Sequence, residues 1–368
     1  MEITRARILV AMVICAGLAG VCPVGSDVME LYRAKKGLQT ADTKHPTALE
    51  LVDKYAETQD KLQSYIIKSE IRNYEASSTI PGTISYVSGR EAGGESAEVR
   101  FDGRRACKRW RKWGHVGLSL HFTPKEQAQY RSFLWDGRVF FRHNYPCRTN
   151  ERFGSVFIDE YRGRRQEGRQ QVELAYSLLG GYFYCDFERI DSILRRIEAI
   201  SMRDRMERIG ESYCYVIDVK GRQGAYTIWI DPEHGYNIAQ AVTQKVRGNL
   251  VRSRPLIDHQ AAYCSLTNVR FRQIDGLWVP VEADRVHNQI LPNGTSFTER
   301  DHIRRTEIIL NPDHDALGSF VPSDIRNGAT VEIRDLDGEY TWQNGKVVDE
   351  QGRTVDIAKL GKRNAGAQ

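Results

Sequence analysis

The chain has 368 residues, which is long enough for one large β-domain or for two smaller ones. Hydrophobic residues make up 40% of it, which excludes a chain too polar to bury a core, and 17 tyrosines with 6 tryptophans favour β-structure. The net charge is +5, and the basic residues are clustered along the chain.

The N-terminus has the pattern of a bacterial secretory signal peptide. Arg5 and Arg7 precede an apolar run at 8–21, which is shorter than the ~20 residues that a membrane-spanning helix needs. Small residues at 24–26 predict cleavage near Ser26, so 1–26 is the signal peptide and 27–45 a flexible leader. Two alternatives are a lipid anchor at Cys22 and an uncleaved anchor helix. No later stretch approaches membrane-spanning length, so we expect a soluble protein of the periplasm or cell envelope.

Five cysteines remain beyond the signal peptide, and export permits disulfides between them. Because the number is odd, at least one thiol is unpaired or pairs between chains. We expect one or two structural disulfides, and the absence of a Cys-x-x-Cys motif argues against a redox site. The five are Cys107, Cys147, Cys185, Cys214 and Cys264.

A helix is predicted first, from Thr47 to about Gln63, because Thr47 and Glu50 form a capping box and apolar residues follow at helical spacing. From Tyr65 the apolar period becomes two, which predicts a strand with one solvated face. Further strands are predicted at 97–101, 106–110, 132–135, 139–143 and 155–161, with a hairpin turn at Asp136-Gly137.

A second helix is predicted over 187–207, ending at Gly210. Its apolar stripe suggests a lid over the sheet, formed by Ile190, Ile193, Leu194 and Ile197. Alternating strands then follow at 213–219, 226–230, 236–244, 259–273, 277–283 and 296–310, joined by short turns. This order is typical of an antiparallel meander. Residues 319–350 are predicted as a small β-hairpin appendage and 351–368 as a flexible tail.

Two segments carry a resemblance to a known family: "LVDKYAETQDKLQSYIIKSE" and "YCYVIDVKGRQGAYTIWIDPEHGYNIAQAVT". Both resemble the LolA/LolB-like superfamily of bacterial outer-membrane lipoprotein carriers, of which this chain would be a divergent, longer member. The resemblance implies an α+β fold over 46–318, an incomplete antiparallel β-barrel with covering helices. It also implies an apolar hollow, which holds lipid acyl chains in the best-known members, and no catalytic residue or cofactor.

The strands offer a set of apolar side chains for such a hollow, although the same residues would serve equally as a filled core. No catalytic, phosphate-binding or metal-binding motif appears. His302 and His314 lie near aspartates and could bind a metal, but an ordinary turn is the preferred interpretation. Cys214 and His259 could act as nucleophile and base, but no third residue is placed to orient them. The predicted pocket residues are Tyr65, Ile67, Ile71, Tyr213, Tyr215, Ile217, Val219, Tyr226, Ile228 and Ile230.

Arginines cluster in the predicted strand around residue 106, at Arg104, Arg105, Arg109 and Arg111. They could contact anionic headgroups or an envelope protein, or simply form a solvated strand face. Export excludes nucleic acid as a partner. The leading hypothesis is therefore an exported, non-catalytic carrier that binds a lipid or a lipidated protein. The alternative is an interaction or sensor module that docks a partner through these arginines and has no cavity.

Overall fold

Strands form most of the residues that this computed structural model describes. Those residues are 46–357 except 81–82, 88–92, 116–121, 146–153, 161–177, 184–185, 187, 198, 252–253, 258 and 335. The predicted signal peptide with Ser26 and Cys22, the leader and the residues from 358 onward lie outside the described residues. The same is true of Cys147 and Cys185. Residues Thr47–Gln368 group into one unit.

Helix α1 spans Ala48–Asp60 and has the predicted capping box. The Thr47 hydroxyl accepts from the Glu50 N–H at 3.2 Å, and the Glu50 carboxylate accepts from the Thr47 N–H at 2.6 Å. Helix α2 is only Ile190–Leu194, and short 3-10 turns occur at Lys125–Gln127 and Leu178–Gly180. Within the described residues, no helix has the length and apolarity to cross a membrane.

The strands fall in two groups along the chain, separated by α2. The first group comprises β1 Tyr65–Ile80, β2 Thr83–Val87, β3 Gly93–Phe101, β4 Ala106–His115, β5 Phe122–Thr123, β6 Gln129–Trp135, β7 Val139–Tyr145 and β8 Ser155–Glu160. The second comprises β9 Ile200–Met202, β10 Glu207–Ile209, β11 Ser212–Gly221, β12 Gly224–Asp231, β13 Asn237–Val246, β14 Leu250–Val251, β15 Arg254–Pro255, β16 Ala261–Ile274, β17 Leu277–Ile290, β18 Ser296–Leu310, β19 Thr330–Ile333, β20 Tyr340–Gln343, β21 Lys346–Asp349 and β22 Thr354–Val355.

Strand β1 lies at the centre of the sheet. It pairs antiparallel with β18 on one side and with β3 on the other. From β3 the sheet continues through β4, β6, β7 and β8, and from β18 through β17, β16, β13, β12 and β11. The predicted fold class is confirmed: the sheet is mostly antiparallel, curved and open, an incomplete barrel.

The C-terminal strands extend one end of this sheet. Strand β19 pairs in parallel with β8, and β20, β21 and β22 follow as an antiparallel series. Their apolar side chains share a core with one face of β4, β6, β7 and β8. This second core contains Cys107, Leu134, Phe141, Val156, Ile158, Phe320, Val331, Trp342 and Val347.

The predicted long helix over 187–207 is wrong beyond Leu194. Ile200–Met202 forms β9, in which Met202 pairs with Ile217 on β11, and Glu207–Ile209 forms β10 on the same strand. Arg203 fixes this region because its guanidinium contacts the Asp218 carboxylate at 2.7 Å. The apolar residues are spaced as in a helix, but the free edge of β11 offers backbone hydrogen bonds to an extended chain. These hydrogen bonds favour strands over the helix in this segment.

The main core lies beneath the two helices. Leu51, Val52 and Tyr55 of α1 and Ile190 of α2 pack against β11, β12 and β13. Polar contacts hold α1 in place at the turn before β13. The Gln59 amide donates to Asn237 Oδ1 at 2.7 Å and the Thr58 hydroxyl to the Gly235 carbonyl at 2.6 Å. Helix α1 therefore covers one part of the sheet, and the C-terminal end of α1 lies above β1.

Candidate functional site

A cavity of about 520 Å³ lies between the central strands and the C-terminal end of α1. Its floor comes from β1, β3, β4 and β18, and its roof from the chain after α1, from 178–182 and from Arg189. Small-molecule pockets range over roughly 300–1,000 Å³, so this space is large enough for a ligand. The principal floor residues are Tyr65, Ile67, Ser69, Ile71, Glu95, Ala97, Val99, Phe101, Lys108, Ile303 and Arg305.

The floor is arranged in rows across the strands. Tyr65 lies opposite Phe101, with their rings 5.4 Å apart, and Ile67 lies opposite Val99. Side chains at alternate positions of a strand share a face, so these rows form a continuous apolar surface. The next row is smaller. It consists of Ser69 and Ala97, whose short side chains leave space above the sheet.

The roof is held by contacts between α1 and the segment before α2. The Arg189 guanidinium contacts the Asp60 carboxylate at 2.7 Å and the Asp191 carboxylate at 2.5 Å. The Tyr55 hydroxyl donates to the Gly180 carbonyl at 3.4 Å. Burial raises the pKa of Tyr55 well above its usual range, so this phenol stays neutral. The roof is thus fixed to the helix rather than loosely laid over the cavity.

Two buried cations interrupt the apolar lining. Lys108 on β4 lies 4.0 Å from the Glu95 carboxylate, and burial lowers the pKa of Lys108. Arg305 on β18 donates from Nη1 to the Pro280 carbonyl at 2.8 Å. Burial lowers its pKa to about 10, so the guanidinium is still charged near neutral pH. The cavity therefore combines apolar rows with positive charge.

The ten predicted pocket residues do not lie together. Tyr65, Ile67 and Ile71 line the cavity. Five others are buried in the main core under the helices, and Tyr215 packs against that core. Tyr213 is half-buried on β11, where it pairs with Arg208. The five core residues are Ile217, Val219, Tyr226, Ile228 and Ile230.

The four predicted lid residues also belong to the main core. Ile190, Ile193 and Leu194 are buried there, and Ile197 packs at its margin. None of them lines the 520 Å³ cavity. Arg189, immediately before this helix, is the residue that reaches the cavity.

Two of the four arginines in the predicted patch form ion pairs within the protein, and the other two are exposed. Arg105 contacts Asp102 at 2.6 Å and Asp315 at 2.9 Å, and its guanidinium lies over the Phe320 ring. The Arg109 side chain lies 3.8 Å from the Asp324 carboxylate. Arg104 and Arg111 are exposed. Two of the four arginines therefore serve contacts to the chain that follows β18.

The histidines singled out from the sequence have separate surroundings. His302 lies between the Glu282 and Asp284 carboxylates, at 2.7 and 2.8 Å. His314 is buried against the Ser319 hydroxyl and the Phe101 carbonyl, each at 2.9 Å. His259 contacts the Gln289 side chain at 3.1 Å. Among the described residues, no group of three or more His, Cys, Asp or Glu side chains could hold a metal ion.

The three described cysteines lie in three different clusters and form no disulfide with one another: Cys107 in the second core, Cys264 in the main core and Cys214 beside Trp229. The expected disulfides therefore do not join any of these three to one another. Burial raises the pKa of Cys107 to about 11 and that of Cys214 to about 12. Protonated, buried thiols are poor nucleophiles, so Cys214 has no activated form here.

Sequence reasoning missed Lys108, Glu95, Arg189 and Arg305. One signal was present: Arg305 follows Ile303 at the alternate position of a predicted strand, and the structure buries both on one face of β18. A charged residue in phase with a buried apolar residue is unusual and points to a specific role. The roof at 178–182 gave no comparable signal.

No protein-family model and no curated protein matches the chain. Among solved structures, the complex of Pseudomonas aeruginosa MucA and MucB is similar at 10% identity and a TM-score of 0.23, covering 70% of this chain and 99% of that one. The ywiB protein of Bacillus subtilis is similar at 4% identity and a TM-score of 0.17, covering 67% and 94%. Such TM-scores do not establish a shared fold. The fold rests on the strand pairing above, and membership of the LolA/LolB-like superfamily stays a prediction.

Proposed function

We propose that this is an exported envelope protein that binds an apolar ligand, a lipid or a lipidated protein, in the cavity above β1 and β3, without catalysing a reaction. The observation that carries the proposal is the pair of apolar rows, Tyr65 with Phe101 and Ile67 with Val99, that face the cavity beside the main core. Export is proposed from the N-terminal sequence pattern alone.

Apolar burial supplies the affinity in this proposal. At ~25 cal/mol per Å², covering about 200 Å² of ligand surface contributes roughly 5 kcal/mol before the costs of association. A preformed roof lowers that cost, because the contacts of Arg189 with Asp60 and of Tyr55 with Gly180 already hold it to α1.

The arrangement gives the interaction-module alternative less support. A docking patch needs arginines that are available to a partner, whereas Arg105 and Arg109 are engaged with Asp102, Asp315 and Asp324. Of the four predicted arginines, Arg104 and Arg111 are exposed, and isolated exposed charges are ordinary on a strand.

Filling the cavity tests the proposal. The mature chain should enhance the fluorescence of N-phenyl-1-naphthylamine, and Ser69→Trp should abolish this because an indole would occupy the space above the small row. The matched control is Ser192→Trp, which places the same side chain at an exposed position of α2. Unchanged probe binding by a folded Ser69→Trp protein, or none by the wild type, would refute the proposal. Lipid extraction with native mass spectrometry would then identify the bound species.

A further inference from the structure

Arg305 is buried, and no carboxylate among the described residues pairs with it. Its side chain lines the cavity, the residue is only 7% exposed, and its one hydrogen bond goes to the Pro280 carbonyl. The ionisable groups around it are the phenols of Tyr55 and Tyr65, which are neutral near pH 7. In the described part of the chain, no carboxylate lies within ion-pair distance of this guanidinium. A buried charge without a partner is costly, so a folded protein that retains one usually uses it.

The neighbouring strand shows how this protein neutralises a buried arginine. Arg285 on β17 is paired with Asp301, whose Oδ2 accepts from Nε at 2.6 Å, and Glu299 lies 3.9 Å away. Asp301 is on the same face of β18 as Arg305. The same face of one strand therefore supplies a carboxylate to Arg285 and none to Arg305.

The charges that line the cavity do not balance. Its cationic side chains are Lys108, Arg189 and Arg305, and its anionic ones are Asp60 and Glu95. Arg189 is paired with Asp60, and Glu95 is the carboxylate nearest to Lys108. Arg305 remains as the positive charge that the lining leaves uncompensated.

The position of Arg305 suits a ligand with two different ends. It lies in register with Ser69 and Ala97, so the guanidinium borders the row with the least side-chain volume. A register shift after Lys68 gives a bulge in β18 next to Arg305, and bulges re-aim side chains. The apolar rows of Ile67 with Val99 and of Tyr65 with Phe101 adjoin this position. An anion at Arg305 would thus have apolar surface directly beside it.

We infer that the cavity selects amphiphiles that carry one anionic head group, a carboxylate or a phosphate, and that Arg305 binds that group. The inference rests on the proposed function, because the apolar rows hold the chain of the same ligand. A guanidinium offers two parallel N–H donors, which match the paired oxygens of either anion.

Competition between ligands with the same chain tests this. Dodecanoate, dodecyl phosphate and 1-dodecanol each displace N-phenyl-1-naphthylamine from the mature protein at about pH 8, where a carboxylate is ionised. Both anions should displace the probe at concentrations at least roughly tenfold lower than the alcohol, because hydrogen bonds to a buried charge are worth more than those to a neutral group. Inorganic phosphate alone should not displace it.

Variants assign the preference to Arg305. Arg305→Met should bind the probe and dodecanol as before but lose the preference for anions, and Arg305→Lys should keep part of it. Lys68→Met is the matched control, because Lys68 is an exposed cation paired with Glu307 and does not line the cavity. It should keep the full preference. The thermal midpoint of Arg305→Met should be equal to or above that of the wild type, since an uncompensated buried charge has been removed.

The outcomes separate the two hypotheses. Equal affinity of wild type for dodecanoate and dodecanol, or an anion preference retained by Arg305→Met, overturns the role of Arg305 and leaves the proposed function standing. Displacement of the probe by inorganic phosphate alone also overturns it, because the site would then take a free anion. A lowered midpoint in Arg305→Met together with a full anion preference in that same variant assigns Arg305 to structure alone. Failure of the wild type to bind either the probe or dodecanol overturns the proposed function itself.

Discussion

Buried cationic side chains in this protein differ in whether a carboxylate pairs with them. Lys245 is fully buried but contacts the Asp186 carboxylate at 2.8 Å and the Gln223 carbonyl at 2.6 Å. Arg285 likewise has Asp301. Removing one partner of such a pair leaves an uncompensated charge, which typically costs about 3–5 kcal/mol. Among the described residues no carboxylate pairs with Arg305, so its charge is left for a ligand in the inference above.

His287 on β17 gives a pH dependence at the residue scale. Burial, with the nearby Arg285 and His259, lowers its pKa to about 4, and the Gln289 amide contacts its Nε2 at 3.3 Å. The unfolded chain has the ordinary histidine pKa of about 6.5, so between these values the unfolded state binds more protons. Stability contributed by neutral His287 is therefore complete above pH ~6.5 and is lost as the pH falls toward about 4.

His287→Gln, which cannot titrate, should remove part of this loss. In urea unfolding, the decrease in the free energy of unfolding between about pH 7 and pH 5 should be smaller than in the wild type by about 1–2 kcal/mol. Between about pH 7 and pH 9 the two proteins should change equally, which serves as the control. An identical acid dependence in both would show that His287 does not couple protonation to folding.

At the scale of elements, the roof depends on a close approach between α1 and the chain before α2. Gly181 has φ +82°, and a Cβ atom there would lie 2.0 Å from the Tyr55 hydroxyl. Its carbonyl also accepts from the Ile190 N–H at 2.9 Å, which starts α2. Only glycine fits both the backbone conformation and the space.

Gly181→Ala should destabilise the protein more than Gly210→Ala. Gly210 in the β10–β11 turn also has positive φ, +60°, but a Cβ there meets nothing within 4 Å. The backbone strain of about 1 kcal/mol is common to both, whereas the clash with Tyr55 adds about 1–3 kcal/mol at Gly181 alone. Chemical denaturation measures both changes. Adding Tyr55→Phe should recover part of the loss only in Gly181→Ala, and equal costs at the two glycines would contradict the close approach.

Most helices and strands were predictable because the apolar residues of each recur at the spacing typical of that element. Strand β18 was predicted with its observed bounds, and α1 was predicted from its cap and apolar face. Tyr65, Ile67 and Ile71 were placed in the pocket because they alternate directly after α1. The helix beyond Leu194 was wrong because Ile193, Ile197 and Ile200 fit a helix, whereas the edge of β11 decides the conformation. Arg305 was missed because its meaning depends on Pro280 and Ser69, which only the folded sheet brings to it.

At the scale of the molecule, the described chain has two large cores on one sheet, besides two smaller apolar clusters. The main core lies under α1 and α2, and the second core joins β4, β6, β7 and β8 to residues after 319. Each contains a buried thiol, Cys264 in the first and Cys107 in the second. Because burial raises the pKa of Cys107 to about 11, it reacts only when its core opens. Labelling of the two cysteines therefore reports on the two cores independently.

Trp342→Ala should open the second core without opening the first. Trp342 is buried on β20 against Phe141, and truncation of such a tryptophan costs about 3–5 kcal/mol. Iodoacetamide labelling, resolved by peptide mass spectrometry under native conditions, should accelerate at Cys107 and stay at the wild-type rate at Cys264. Trp278→Ala is the matched control, because Trp278 contacts His234 at the other end of the sheet and should leave Cys107 protected. Parallel acceleration at both cysteines would instead mean that the two cores unfold as one cooperative unit, so that the C-terminal strands stabilise the cavity as well as their own core.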